Sequence, residues 1–412
     1  MSVPPDLGSP VTAEPDIRLD SGEDIGERMI LNMGPSHPST HGVLRLVLEM
    51  DGERVLNCVP DVGYLHRGME KLAETYGYHR FIPYTDRLDY LAPLSNNVAI
   101  ALAAEKVCGI EAPPRAQTIR IACCELARIS SHLLGLGAYA MDLGAISVFL
   151  YTFTERETLY NFFEYLTGAR FTTSYTRVGG VARDAEDGWL RDVRAFCDGF
   201  HKKVDVWERL LTRNRIWMHR NQGVGIITKE MALNYGLTGP VLRGSGIGYD
   251  VRKDRPYMGY EDYDFDVPVG EHGDAYDRYL VRLEEMRQSA RLVVQAIDKM
   301  PDGPFLADEP KFVLPEKHGV LTSMEELIHQ FMLVTGEMET PKGEIVSHIE
   351  NPKGEHGYYL RSEGGAAPWR CKMRAPSFVN LHVLEKIVPG HLVADVVTIL
   401  ASFDFVMGEC DK

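Results

Sequence analysis

Between Pro114 and Pro240 the chain has no proline, and within that interval Ile119, Ala122, Leu126, Ile129, Leu133 and Leu136 recur at alternating spacings of three and four. Proline removes a backbone donor and clashes inside a helix, and a three-and-four spacing places side chains on one helical face. The pattern predicts a long core helix opened by Pro113-Pro114-Arg115, since proline is tolerated at the first helical position. A second helix is predicted through TERETLYNFFEYL after a break near DLGAIS, and a third over about 187–212. A fourth, over 274–299, has its apolar stripe on one side and its charges on the other. Helices of this length and pattern pack as a bundle.

On either side of the bundle the signals change. MILNMGPSHPSTHGVLRLVLEMDGERVLNCVPDVGYL alternates β-prone runs with turn signals such as Met50–Glu53, which predicts a small antiparallel sheet with a loop over 34–42. After Pro301 the chain reads as short and mixed, with hairpins and turns through NPKGEHGYYLRSEGG and WRCKMRAPSFVNL and a last apolar helix at HLVADVVTILASF. Residues 1–27, rich in Pro, Asp and Glu, lack periodicity and read as an extended or partner-bound arm. The expected class is α+β, mainly α. It comprises the arm over 1–27, a small β region over 28–65, a helical bundle over 66–300, and a mixed part over 301–412 whose C-terminal helix packs back on the bundle.

Composition excludes several function classes. At 44% hydrophobic and 25% charged residues the chain has ordinary globular balance. No apolar run approaches the roughly 18–20 residues needed to cross a bilayer, so work at a membrane would go through partners. The net charge of −15 disfavours nucleic acid and anionic lipid as primary partners. Seven cysteines without a CxxC pair argue against a disulfide scaffold, a self-held iron–sulfur cluster or a zinc ribbon. Cys123 and Cys124 sit in the helical pattern and read as small buried residues.

The candidate chemistry lies in two places. The loop Gly34–Gly42 holds His37 and His41, four apart, but Pro35, Pro38 and Gly42 argue against the helix that would make such a pair a metal site. Its stiffness suits a firmly held side chain. A second cluster runs through Tyr64, His66, Arg67 and Glu70 to Asp86, Arg87, Asp89 and Tyr90. It reads either as the satisfied ion pairs of a helical core or as a functional group. Asp142, in apolar AMDLGA, needs a buried partner or a raised pKa. Arg243-Gly-Ser-Gly-Ile-Gly248 lacks the strand and helix of a nucleotide loop and reads as a turn. The residues alone therefore imply an enzyme subunit or a scaffold.

The ordered segments GPSHPSTHGVLRLVLEMDGE, VGYLHRGMEKL, YTDRLDYL, PPRAQTIR, ELARISSHLLGLG, MDLGA, YTFTERE, RVGGV, YDVRKDRPY, DVPVGEHGDAYDRYLVRLEEMRQS, PKGE, RAPSFVNL and FDFVMGECDK resemble the D-subunit family of respiratory complex I, the bacterial NADH-quinone oxidoreductase. The likeness runs from about residue 29 to the C-terminus. That family is similar to the large subunit of nickel-iron hydrogenases, which implies a hydrogenase large-subunit-like fold. Arg67–Glu70, Arg87–Tyr90 and Asp404–Glu409 look like the flanks of the hydrogenase cysteine pairs, with the thiolates gone. Without them no nickel-iron centre can be ligated, and the pocket is free for a quinone headgroup.

Carried over by motif, the resemblance implies that His41 and Tyr90 are headgroup donors and that Asp142 pairs with His41 and raises its proton affinity. It implies Arg67 and Arg87 beside a tetranuclear 4Fe-4S cluster held by the neighbouring B subunit, tuning its potential. It further implies quinone (ubiquinone or menaquinone) as substrate, the B, C and I subunits and the membrane-embedded H subunit as partners, no cofactor held by this chain alone, and a peripheral place on the cytoplasmic side of the cell membrane. Where relatives carry a histidine after Gly-x-Arg-Phe, this chain reads Gly168-Ala-Arg170-Phe171-Thr172-Thr173. The expected result is a cluster potential that depends less on pH; redox titration at several pH values showing the usual slope would sink this. Phe405 and Lys412 also depart from the usual Asp-Pro…Arg ending. Rival readings are an active hydrogenase-type metalloenzyme, opposed by the missing cysteine pairs; a ferredoxin- or deazaflavin-dependent quinone reductase with the same core; and a non-catalytic docking scaffold.

Overall fold

The computed structural model describes residues 28–40, 42–335 and 340–412. The expected arm over 1–27 and His41 lie outside the described residues. The class is α+β, mainly α, as the sequence predicts.

Strands β1 (Arg28–Met33), β2 (Arg45–Asp51) and β3 (Arg54–Asp61) form an antiparallel sheet in that order. Met33 opposes Leu46 and Asp51 opposes Arg54 across the Gly52 turn. Leu46, Leu48 and Met50 alternate along β2 and are buried, as a strand with one covered face requires. Helix α1 (Met69–Thr85) follows, broken at Gly77 by a left-handed φ of 77° and carrying Pro83 inside. Helix α2 spans Pro93–Cys108.

Helix α3 (Pro114–Asp142) opens at Pro114 and is buried on all sides over most of its length, the expected state of a helix at the centre of a bundle. It packs against α4 (Ile146–Thr167) and α6 (Ala275–Asp298), and α6 packs against α5 (Asp187–Leu211). Cys123 and Cys124 are both buried there. Asp274 caps α6, its carboxylate accepting from Asp277 N at 2.9 Å.

The stretch after Pro301, expected to be short and mixed, contains two helices that the sequence reading missed: α7 (Lys317–Thr322) and α8 (Met324–Thr335). Beyond them β4 (Gly343–Asn351), β5 (Gly354–Ser362) and β6 (Arg370–Arg374) form the expected hairpins as another three-stranded antiparallel sheet against α2. Helix α9 (Val393–Phe403) and the short turn of helix α10 (Met407–Cys410) end the chain. Leu400, Phe403, Met407 and Cys410 share one apolar cluster with Leu46, Leu48 and Val55, so the first sheet and the tail of the chain are packed together.

Charge is buried with its partners. Arg243 bonds Glu285 and Glu350 at 2.8 Å each, Arg252 bonds Asp250 at 2.7 Å and Glu125 at 3.0 Å, and all six are fully or almost fully buried. Arg243 lies inside a short helix, Pro240–Gly244, rather than opening a turn; the turn begins at Ser245. The reading of 243–248 as an irregular segment holds only for its later part.

His132 and His356 are completely buried, and burial pushes them down to about 4 and about 3. Their folded-state values lie below the ordinary 6.5, so the unfolded chain takes up these protons first. Their contribution to stability is complete above pH 6.5 and is lost as pH falls from there, towards about 4 for His132 and about 3 for His356. The melting temperature of the complex should therefore drop on acidification, and His356→Gln should flatten that slope. An unchanged slope in the variant would refute the assignment.

Candidate functional site

Three stretches far apart in sequence converge at the end of the chain. Arg67 precedes α1, and its Nη2 donates to the carbonyls of Arg87 at 2.9 Å and Gly408 at 2.7 Å. Asp411 accepts from the backbone N–H groups of Gly63 and Leu65 at 2.8 Å each, tying the last residues to the segment before Arg67. One guanidinium and one carboxylate thus fasten the C-terminal turn to the segments before and after α1.

Tyr90 stands in the turn between α1 and α2, half-buried, with its ring 6.4 Å from that of Phe171. Burial, then the negative charge of Asp89, raises its phenol above the ordinary value. The group is a neutral donor at physiological pH. Arg87 is exposed, and its Nη1 donates to Pro83 O at 2.6 Å. Thr172 is half-buried and Thr173 buried, just beyond Phe171.

The structure therefore brings together Arg67, Arg87 and Tyr90. Asp142, expected in apolar surroundings, is instead the half-buried last residue of α3. That end carries the negative pole of the helix dipole, which disfavours a carboxylate and makes a cationic partner valuable. The partner named by the resemblance, His41, lies outside the described residues. Around it, Thr40 is buried and donates to His37 O at 2.8 Å, His37 is exposed, and the Pro38–Thr40 turn packs against α9. The described residues of the loop thus lie against the C-terminal part of the chain, Pro38–Thr40 on α9 and Gly42 near Met407, while Tyr90 meets that part at Gly408. His66, by contrast, is exposed.

Behind Tyr90 lies a group that the sequence reading names only in part, Asp89 in the second cluster and Asp404 and Glu409 in a hydrogenase-like flank, and does not join to Lys353. Asp89, Lys353, Asp404 and Glu409 are all buried, each at most 3% exposed. Lys353 occupies the tip of the β4–β5 hairpin, normally a solvated position, and its Nζ forms a short ion pair with Asp404. Asp404 ends α9 in a left-handed conformation, φ 53°. A Cβ at Gly135 of α3 would lie 2.5 Å from the Asp404 carboxylate, so only glycine leaves room for it. Arg282 of α6 stands 3.8 Å away. Burial raises Asp89 to about 6 and Glu409 to about 8. A signal existed in FDFVMGECDK, where three acids interrupt an apolar tail, but nothing in the sequence pairs them with Lys353.

The sequence profile of the family described as "Respiratory-chain NADH dehydrogenase, 49 Kd subunit" matches residues 142–412, from the last residue of α3 to the end of the chain. The chain belongs to this family, the D subunit of complex I. Among curated relatives, the D subunit of the NADH-quinone oxidoreductase of Methylacidiphilum infernorum is 62% identical over 392 residues, covering 95% of this chain and 94% of that protein. The D subunit from Akkermansia muciniphila is 58% identical, with 97% of each chain covered. That from Geotalea uraniireducens is 51% identical over 94% of this chain and 99% of its own length. The chain is accordingly one component of an oxidoreductase complex. Among the described residues no helix is long and apolar enough to cross a membrane.

Proposed function

We propose that this D subunit forms, with the neighbouring B subunit, the headgroup pocket in which complex I reduces quinone, using electrons from a 4Fe-4S cluster that the B subunit holds. The observation that carries the reading is Tyr90: a half-buried phenol, kept protonated by burial and by Asp89, on a turn clamped through Arg67 to the C-terminal tail. Reduction of a quinone to a quinol consumes two electrons and two protons, so its oxygens need donors at hydrogen-bond range. Tyr90 and His41 are the proposed donors. Asp142 is the proposed partner of His41, held where the negative end of α3 favours an imidazolium beside it. Release of the His41 proton during turnover would free Asp142, a first step towards proton pumping. Arg67 and Arg87 would lie towards the cluster, where positive charge favours its reduced state.

The remaining proposed partners are the C and I subunits and the membrane-embedded H subunit. The exposed apolar residues Ile146, Leu150 and Tyr151 on α4, and Leu321, Met324 and Phe331 on α7 and α8, supply surface for such contacts. Association with the cytoplasmic side of the membrane would run through those partners.

The test is NADH:quinone activity in membranes carrying Tyr90→Phe or His41→Ala, with NADH:ferricyanide activity and assembly as controls. Loss of one donor worth about 1.4 kcal/mol in the transition state lowers turnover about tenfold. Quinone activity should fall by that much while both controls persist. If quinone activity survives in both variants, the constellation is structural and the chain is a docking scaffold.

A further inference from the structure

The buried acids behind Tyr90 outnumber the cation among them. Asp404 is neutralised by Lys353, with the buried Arg282 also 3.8 Å from it. Asp89 and Glu409 are left, each completely buried. Each has one oxygen on a backbone N–H: Leu91 N donates to Asp89 Oδ1 at 3.1 Å and Ser377 N to Glu409 Oε1 at 2.9 Å. The other oxygens, Asp89 Oδ2 and Glu409 Oε2, have no hydrogen-bond partner among the described residues.

Two neighbouring carboxylates in a low-dielectric interior are costly to ionise together, and a proton on one of them removes the conflict. The charge of Asp89 is the largest factor raising Glu409 after burial itself. Other groups facing Asp89 are Lys353, Asp404 and Arg156, and the Arg156 guanidinium is engaged with Ser130 and the Tyr160 ring. Lys353, Tyr358 and Lys412 face Glu409, and the Lys412 amine donates to Met373 O. Neither carboxylate therefore has a dedicated cation.

The pair adjoins the donor. Asp89 precedes Tyr90 in the same turn, and the backbone at Gly408, next to Glu409, lies against the Leu88 carbonyl and the Tyr90 ring. We propose that Asp89 and Glu409 together hold one exchangeable proton, and that this proton restores Tyr90 after the phenol has given up its own. The inference rests on the quinone-site reading above.

The step balances without a further redox partner. The Tyr90 O–H breaks as a quinol O–H forms on the already reduced headgroup, leaving a phenolate. The phenolate takes the proton of the acid pair, the pair becomes fully ionised, and it regains one proton from solvent before the next turnover. The burial that raises Glu409 to about 8 leaves it protonated at neutral pH and close enough to the operating range to release the proton.

The experiment uses the assembled complex in membranes, with NADH:quinone turnover measured across about pH 6–10 for wild type, Tyr90→Phe, Glu409→Gln and Glu409→Asp. Wild type should lose turnover on the alkaline side with an apparent pKa of about 8. Glu409→Gln should be roughly tenfold slower and lack that limb, while Glu409→Asp should keep it. Redox-difference infrared spectra should show a protonated carboxyl band that is absent in Glu409→Gln. If Glu409→Gln reduces assembly, Asp89→Asn supplies the same comparison. Wild-type turnover and an unchanged alkaline limb in Glu409→Gln, with Tyr90→Phe impaired, would overturn the proton store and leave the quinone site standing. If Tyr90→Phe is unimpaired, the quinone-site reading fails and the inference with it. Absence of the carboxyl band from wild type would overturn the shared proton on its own.

Discussion

Arg243→Met is expected to remove the D subunit from assembled complex I. Arg243 has no exposed surface, and its guanidinium meets Glu285 through Nε and Glu350 through Nη1, each at 2.8 Å, with Asp250 at 3.5 Å. The remaining cations are committed elsewhere: Arg252 to Asp250 and Glu125, and Arg128 to Glu125 and the carbonyls of Glu350 and Asn351. Methionine of similar length would leave Glu285 and Glu350 buried without their main counter-charge. Breaking a buried pair by removing one partner costs about 3–5 kcal/mol, a large share of a typical stability of 5–15 kcal/mol. Three acids share the loss here, so the cost should sit at the upper end. Immunoblots and native gels of membranes should show little D subunit in the complex. Adding Glu350→Gln should recover part of it, because the pair's removal is cheaper than its breakage. Wild-type abundance and melting temperature in the single variant would show that the network is dispensable.

The same network shows where sequence reading succeeds and where it stops. Helix α3 was legible because its apolar residues Ile119 through Leu136 keep a three-and-four spacing through a stretch that no proline interrupts. The first sheet was legible because β2 alternates and the Met50–Glu53 turn carries its glycine at the required place. Helix α8 was missed because Met324, Leu327, Ile328 and Phe331 form an apolar stripe that faces outward among short neighbours, where surrounding prolines and glycines suggested irregular chain. Pairings were not legible at all. Glu125 meets Arg252, and Asp404 meets Lys353, across distances in sequence that no local pattern encodes. For the candidate site, the resemblance supplied Arg67, Arg87 and Tyr90, and folding brings these into one neighbourhood. It placed Asp89 and Glu409 only as flanks of lost cysteine pairs and gave them no chemistry, which follows from their shared burial.

Gly408→Ala should impair quinone reduction more than removal of the Tyr90 hydroxyl does, although it deletes no chemical group. A methyl at position 408 would lie 2.4 Å from Leu88 O, 2.7 Å from Arg87 O and 3.1 Å from the Tyr90 ring. Two of those atoms are backbone carbonyls, so relief requires the tail and the Tyr90 turn to move apart. Arg67 bridges Arg87 O and Gly408 O with one nitrogen, and this single atom cannot keep both bonds if the carbonyls separate. A displacement of about 1 Å at a reacting group can cost on the order of a hundredfold in rate. The expected result is quinone turnover down about a hundredfold with NADH:ferricyanide activity unchanged, since electron entry lies upstream. Gly199→Ala, in α5 with open space around it, should be silent and serves as the control. Wild-type quinone turnover in Gly408→Ala would mean that the Tyr90 turn tolerates displacement, and that its contact with the C-terminal tail does not set the donor's position.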